Sequence, residues 1–173
     1  DRDLAGSSIL LLGAGGAARG AAVECLQRGC AALWIANRTR STLAVLLGHL
    51  APLQNGIPLH GIPLADVAAT DKGSAGLPPG LLVINATSAG LRDTDPLPID
   101  LALLPRPAAF LDMIYNPPQT RLLETAAALG LPHANGLGML VHQGAKALEI
   151  WSGVAATRTA PVMSQAARKA LGL

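Results

Sequence analysis

Aromatic residues and cysteines are scarce in this chain of 173 residues, which holds two Trp, one Tyr, one Phe and two Cys. Half of the residues are hydrophobic, and alanine and leucine supply most of them. Such a core suits helices packed on a parallel sheet better than a β-sandwich. Cys25 and Cys30 exclude a disulfide framework and form no metal-binding pattern. We expect both to be core thiols.

Strong charge, long apolar runs and a signal peptide are also lacking. The net charge is +2, with no basic block interleaved with aromatics, so the sequence shows no nucleic-acid footprint. No apolar run is long enough to span a bilayer. The histidines share no ligand spacing, so no metal site is expected; they are His49, His60, His133 and His142. These absences predict a single cytoplasmic domain over residues 1–173, without nucleic-acid or membrane partners.

Short apolar runs alternate with longer helical patterns along the chain, which is typical of βαβ units and a right-handed parallel sheet. Predicted strands cover 8–13, 32–36, 57–60, 81–86, 108–113 and 132–134, and predicted helices cover 16–28, 40–50, 63–69, 119–129, 137–152 and 161–171. In the helix at 137–152 we predict one apolar stripe, in which a glycine permits close approach; the stripe is Leu140, Gly144, Leu148 and Trp151. The pattern indicates a three-layer, doubly wound Rossmann-type α/β fold with a mostly parallel sheet of about six strands.

A glycine-rich turn follows the first predicted strand. Residues 13–18 read GAGGAA and lead directly into a helix. Gly13 suits the sharp turn, and Gly15 removes a side chain that would keep backbone N–H groups away from a pyrophosphate. Ala18 takes the third small position, where the helix approaches the strand closely. The free N–H groups at the helix start could then receive phosphates, although a tight turn with no ligand is the alternative.

The second predicted strand ends in residues 37–40, which read NRTR. An NAD-binding protein usually has an Asp or Glu at this point, which holds the ribose 2′-hydroxyl. This chain has arginine and no acid there, so the sequence favours a cofactor with a 2′-phosphate, which is NADP.

Three further motifs lie where loops leave the carboxyl ends of strands, the edge at which open α/β sheets bind ligands. They are residues 85–90 (NATSAG), residues 112–117 (DMIYNP, running to Thr120) and residues 135–140 (NGLGML), with Gln143 one turn later. Together with the glycine turn and residues 37–39, the whole chain resembles the C-terminal, NADP-binding half of the shikimate dehydrogenases.

The resemblance implies an activity and a role for each matching position. Enzymes of this family reversibly reduce 3-dehydroshikimate to shikimate with NADPH, in aromatic amino acid and chorismate biosynthesis. Thr87 would lie along the cofactor, Met113 and the backbone of Gly136 would flank the nicotinamide, and Tyr115 and Gln143 would reach the shikimate side. The diphosphate would be bound by Gly13, Ala14, Gly15, Gly16 and Ala17. The 2′-phosphate would be bound by Asn37, Arg38 and Thr39. The family often has a second basic residue where this chain has Thr42, and Arg40 could replace it.

Each of these side chains also has a purely structural interpretation. Asn85 and Thr87 could close a loop by bonding the backbone, Tyr115 could be a core tyrosine, and Gln143 could be an ordinary helix-surface amide. Asp112 ends a buried strand, where we expect it to bond backbone donors rather than transfer protons.

The family's catalytic lysine and aspartate belong to an N-terminal domain that nothing in this chain resembles. Its lysines are Lys72, Lys146 and Lys169, and none lies in a matching context, so no catalytic residue is assigned. We therefore expect cofactor binding with little or no turnover, and self-association through apolar surface that the other domain would cover. Two alternatives remain open, a quinate/shikimate dehydrogenase-like paralogue and a stand-alone nucleotide-binding module.

Overall fold

A computed structural model describes residues 3–67, 76–92 and 94–173. The described strands are Ser8–Leu12 (β1), Ala32–Asn37 (β2), Leu59–Pro63 (β3), Leu82–Asn85 (β4), Ala109–Asp112 (β5) and His133–Ala134 (β6). They form one sheet in the order β3-β2-β1-β4-β5-β6, and all neighbouring strands run parallel. The predicted doubly wound sheet of about six strands is confirmed.

The α-helices of the described ranges are Gly16–Gln27 (α1), Arg40–Leu50 (α2), Arg121–Ala128 (α3), Leu137–Ser152 (α4) and Ala156–Ala170 (α5). Short 3₁₀ turns at Ala51–Leu53, Leu64–Asp66 and Leu101–Leu103 complete the connections. None of the described helices is both long enough and apolar enough to cross a membrane.

The central strand β1 is buried on both faces and divides the core into two clusters. Ile9 and Leu11 belong to a cluster with buried residues of α1 and α2. Leu10 and Leu12 belong to a second cluster with Phe110 and buried residues of α3. Burying one such side chain stabilises a fold by about 1.5–3 kcal/mol. The continuous apolar run of β1 is therefore the consequence of helices lying on both sides of the sheet.

Both cysteines lie in the first cluster, as predicted. Burial raises the pKa of the Cys25 thiol to about 12, and burial also raises the pKa of Cys30. Both side chains are therefore neutral thiols at physiological pH, which suits a packing role.

The four histidines are all exposed. In the described part of the chain, no group of three or more His, Cys, Asp or Glu side chains is arranged to hold a metal ion.

The predicted helix at 63–69 is wrong for the residues that are described. Strand β3 continues through Pro63, whose register partner is Asn37 at the end of β2, and the 3₁₀ turn Leu64–Asp66 follows. Pairing with β2 extends the strand beyond the predicted 57–60, and an edge strand tolerates a terminal proline. Positions 68 and 69 of that prediction lie outside the described residues.

The C-terminal helix begins five residues earlier than its predicted start at Pro161. Ala156 and Ala160 pack against Val141 and Ala145 of α4, so tertiary burial extends α5 in the N-terminal direction and leaves the proline inside the helix. Helix propensity gives way to packing at such positions.

The predicted apolar stripe of α4 is also wrong in its composition. The buried residues of this helix are Leu137, Val141 and Ala145, whereas Trp151 is 82% exposed. Close approach at Gly144 is confirmed, because a Cβ atom there would lie 2.7 Å from the Cε atom of Met163 on α5. The buried face of α4 is therefore the face that α5 covers.

Candidate functional site

A cleft of about 460 Å³ opens beyond the carboxyl ends of β1, β2 and β4. The neighbours of β1 are β2 on one side and β4 on the other, which makes this the topological switch point where open α/β sheets bind ligands. Its volume falls in the range of small-molecule sites. The lining residues are Gly13, Ala14, Gly15, Ala36, Asn37, Arg38, Leu64, Ala86, Thr87, Ser88, Ala89, Pro96, Leu97 and Pro98.

Gly13 makes the turn that leads from β1 to α1, beside the ends of β2 and β4. Its N–H donates to the Ala36 carbonyl (2.8 Å), while the Ala86 N–H donates to the Leu12 carbonyl (2.9 Å). Gly13 has a φ of +108°, and a Cβ atom there would lie 2.9 Å from the Ala86 carbonyl oxygen. Both the backbone conformation and the contact with Ala86 therefore require glycine.

Gly15 is different, because no neighbouring protein atom would touch a Cβ atom at this position. It is the N-cap of α1, and no side chain caps this helix start. The first backbone hydrogen bond of the helix runs from the Arg19 N–H to the Gly15 carbonyl (3.0 Å). The N–H groups of the three preceding residues therefore have no carbonyl partner within the helix. Ala18 is fully buried beside β1, as predicted for the third small position.

The turn after β2 is closed by Asn37, whose side-chain Nδ2 donates to the Thr39 carbonyl (2.9 Å). Arg38 is exposed and lines the cleft. Thr39 is the N-cap of α2, but its side chain makes no capping bond. Thr39 and Arg40 do not line the cleft, and the Arg40 Nη2 atom lies 4.0 Å from Asp66 Oδ2.

Buried hydrogen bonds connect the loops after β4 and β5. Asn85 is fully buried and donates from Nδ2 to Asp112 Oδ1 (3.0 Å). The second oxygen of Asp112 accepts from the Thr120 hydroxyl (2.6 Å), and Oδ1 also accepts from the Ile114 N–H (3.1 Å). Thr120 in turn caps α3 by accepting from the Leu123 N–H (3.3 Å). The expected bonding of Asp112 to a backbone donor is confirmed.

Thr87 takes part in the same loop rather than offering a free hydroxyl. Its Oγ1 donates to Asn85 Oδ1 (2.7 Å) and accepts from the Ala89 N–H (3.1 Å). Its methyl carbon is the side-chain atom that lies nearest to Gly13. The interpretation that Asn85 and Thr87 close this loop is confirmed. Thr87 also forms part of the cleft wall.

Met113 and Gly136 are brought into direct contact, although neither lines this cleft. The Gly136 N–H donates to the Ile114 carbonyl (3.0 Å), and a Cβ atom at Gly136 would overlap the Met113 carbonyl. Asn135 fixes the same corner by donating to the Pro118 carbonyl (2.9 Å) and accepting from the Leu137 N–H (3.1 Å). The start of α4 therefore lies directly against the loop after β5.

Tyr115 and Gln143 lie on the surface beyond that corner. Tyr115 is 37% exposed and no bond joins its hydroxyl to another described residue, so the interpretation as a core tyrosine is wrong. Gln143 is exposed on α4. Neither side chain lines the cleft.

Sequence reasoning missed one wall of the cleft, formed by Leu64, Pro96, Leu97 and Pro98. The proline-rich stretch at 92–107 reads as an ordinary surface loop, and it contains no polar pattern that would indicate a ligand. Only its position in the sequence, shortly after the motif that follows β4, could have indicated that it lies near the cleft.

Comparison with known proteins identifies the relatives of this chain. The family model described as Shikimate 5'-dehydrogenase C-terminal domain matches residues 136–168. The shikimate dehydrogenase (NADP(+)) of Methylobacterium radiotolerans is 42% identical over 149 residues, which cover 86% of this chain and 49% of that protein. The chain thus spans about half the length of the curated relatives it matches.

Two solved structures, a shikimate dehydrogenase and another reductase, also match most of this chain. A shikimate 5-dehydrogenase from Thermus thermophilus, in complex with NADP(H) and shikimate, has a TM-score of 0.75 and 34% identity, covering 97% of this chain and 56% of that one. The ligand-free 5-ketofructose reductase of a Gluconobacter strain has a TM-score of 0.79 and 35% identity, covering 97% and 58%. The resemblance predicted from the sequence is confirmed.

The buried Asp112 cluster yields a prediction for stability. We expect Asp112→Asn to lower the free energy of unfolding by about 1–3 kcal/mol, because an amide N–H would then face the donors of Asn85 or Thr120. Burial raises the pKa of Asp112 above its ordinary value, and the bonds from Thr120, Ile114 and Asn85 offset this only in part. A raised folded-state pKa stabilises the fold below the unfolded pKa of about 4, and this contribution disappears as pH rises through the folded pKa.

Chemical denaturation across pH measures this effect. The difference between the unaltered chain and Asp112→Asn should be largest near pH 4 and should shrink toward neutral pH. Asp100→Asn is the matched control, because Asp100 caps an exposed turn by accepting from the Ala102 N–H (2.9 Å) and asparagine caps equally well. If the difference in unfolding free energy between the two proteins grew with pH, the raised pKa of Asp112 would be contradicted.

Proposed function

We propose that this chain, a relative of the shikimate dehydrogenases over about half of their length, is the NADP(H)-binding domain of an enzyme that reversibly reduces 3-dehydroshikimate to shikimate. One observation carries the proposal. A cleft at the switch point of the sheet joins a glycine turn and an uncapped helix start to an exposed arginine at the end of β2. The Methylobacterium radiotolerans relative is a shikimate dehydrogenase (NADP(+)), and the Thermus thermophilus structure holds NADP(H) and shikimate.

The glycine turn fits the diphosphate of a dinucleotide. The open space above Gly15 and the N–H groups at the start of α1 suit an anion, since that helix has no capping side chain and no acid in its first turn. We assign the diphosphate to the segment from Gly13 through Ala17.

The turn after β2 fits the 2′-phosphate. Arg38 lines the cleft, and a guanidinium can bond a phosphate in fork geometry. Asn37 holds this turn in shape, and α2 starts here without an acidic residue in its first turn. We assign the 2′-phosphate to Asn37, Arg38, Thr39 and Arg40.

The remaining assignments follow the course of the sheet edge. Thr87 forms the wall beside Gly13, so we place it along the cofactor. Met113 and the backbone of Gly136 form one corner beyond β5, which we assign to the nicotinamide. Tyr115 and Gln143 are exposed beyond that corner, where they can contact shikimate. The bound cofactor would supply a hydride, and the chain's own residues position it.

A reduction also needs a proton donor near the developing alkoxide. Of the described residues that line the cleft, Arg38 alone has a charged side chain, and guanidinium groups do not serve as proton donors to an alkoxide. Asp112 is buried and bonded within its loop. We therefore assign no catalytic residue to this chain, and place the proton donor in the other half of an enzyme about twice as long.

Paired titrations with NADPH and NADH test the proposal. Charge-assisted bonds contribute about 1.5–3 kcal/mol each, so we expect calorimetry to give roughly ten- to a hundredfold tighter binding of NADPH. Arg38→Gln should sharply reduce that preference. Arg28→Gln is the matched control, because this exposed arginine bonds Glu24 (2.7 Å) at the far end of α1.

Gly15→Ala separates ligand binding from folding in the same titrations. Its Cβ atom would touch no protein atom, so the variant should fold normally while binding of both cofactors weakens. Gly20→Ala, also open and within α1, should raise stability by roughly 0.8 kcal/mol and leave binding unchanged. Equal affinity of the unaltered chain for NADPH and NADH would contradict the 2′-phosphate site.

The chain alone should show little or no turnover. A coupled assay of shikimate-dependent NADP⁺ reduction measures this directly, with a complete shikimate dehydrogenase as positive control. Sustained turnover by the chain itself would place the proton donor within these residues and overturn the assignment.

We also propose that the chain self-associates through apolar surface. An apolar cleft of about 430 Å³ crosses β4, β5 and β6, and Trp151, Ile150 and Val162 are exposed on the helices α4 and α5. Exposed patches of this kind favour association. Sedimentation velocity should show the average mass rising with concentration, and the double change Ile150→Ser and Trp151→Ser should reduce the rise. A monomer at every concentration would refute the proposal.

A further inference from the structure

Arg40 is directed at an acidic side chain outside the cleft. It is the first residue of α2, and its Nη2 atom lies 4.0 Å from Asp66 Oδ2. The two side chains are 80% and 52% exposed. Asp66 ends the 3₁₀ turn that follows β3, and Leu64 of the same turn lines the cleft. The acid therefore stands beside the site that we assign to the 2′-phosphate.

The position of Arg40 is electrostatically unfavourable without an anion. The start of a helix carries partial positive charge, so a cation there meets a like charge. The side chain of Thr39 makes no capping bond, and the first turn of α2 contains no acid. The negative charge of Asp66 partly offsets this repulsion, but an ion pair between exposed groups at 4.0 Å is weak.

A phosphate is a stronger partner for Arg40 than Asp66 is. It offers several oxygens to the planar guanidinium and carries more charge than one carboxylate. The two arginines Arg38 and Arg40 are separated by a single residue at the start of α2, and the long side chain of Arg40 is exposed along most of its length. Reorientation of this side chain needs no change in the backbone.

We propose that Arg40 exchanges Asp66 for the 2′-phosphate of the cofactor, and that Asp66 is a specificity-determining residue which holds Arg40 away from the phosphate in the free protein. This inference rests on the proposed function. Asp66 then weakens NADPH binding, because its pair with Arg40 must break first. NADH has no 2′-phosphate, so its binding does not involve either residue.

A double-mutant cycle tests the exchange. The proteins are the unaltered chain, Arg40→Gln, Asp66→Asn and the double variant, each titrated with NADPH and NADH at low salt. Arg40→Gln should weaken NADPH binding roughly tenfold. Asp66→Asn should strengthen it roughly threefold when Arg40 is present and not at all when Arg40 is replaced. NADH affinity should be the same in all four proteins.

Other results overturn the exchange in distinguishable ways. If Asp66→Asn still strengthens NADPH binding without Arg40, then Asp66 acts on the phosphate directly and does not hold the arginine. If Arg40→Gln leaves NADPH binding unchanged while Arg38→Gln removes the preference, the exchange is wrong and the proposed function stands. If the unaltered chain binds neither cofactor, both are wrong. Arg28→Gln again controls for the loss of one positive charge.

Discussion

The carboxylate of Asp112 accepts hydrogen bonds from Asn85, Ile114 and Thr120, and these bonds connect the loops after β4 and β5 with the start of α3. Asn85 shapes the loop that carries Thr87, Ile114 lies in the loop that carries Met113, and Thr120 begins α3. An isolated carboxylate in such a buried place is costly unless its oxygens are satisfied. The three donors satisfy it, and in doing so they fix two strand ends and a helix start relative to one another.

Beside these bonded loops, the cleft contains polar backbone groups that no protein side chain caps. The start of α1 has no capping side chain, and Gly15 faces open space. The start of α2 is likewise uncapped by Thr39. The start of α1 and the charge of Arg38 thus face one cavity, and the start of α2 follows directly after Arg38. Positive partial charges that converge without an internal partner indicate an anionic ligand.

Much of the fold could be predicted because the decisive signals are local. The apolar runs of β1, β2 and β4 and the turn at Gly13 each appear within a few residues of sequence. The same is true of the arginine at the end of β2. The observed strand order β3-β2-β1-β4-β5-β6 is the order typical of the Rossmann-type fold that these signals predict.

The features that could not be predicted join residues far apart in the chain. Asn85 bonds Asp112 across 27 positions, and Arg40 pairs with Asp66 across a strand. The start of α5 and the buried face of α4 depend on how these two helices pack on each other, since Ala160 is buried in one cluster with Val141 and Ala145. Local pattern favoured Pro161 as a helix start and Trp151 as a core residue, and tertiary packing determined otherwise.

The contact between Gly136 and Met113 holds the start of α4 against the loop after β5. The backbone at the start of this helix lies against the loop after β5 without an intervening side chain, so that end has no room to approach the loop further. Trp151, near the other end, lies about 21 Å away along a straight helix axis, and a 5° tilt would displace it by roughly 2 Å. The displacement produced by a small change in the angle of α4 at the corner beside Met113 would therefore be large at the exposed Trp151.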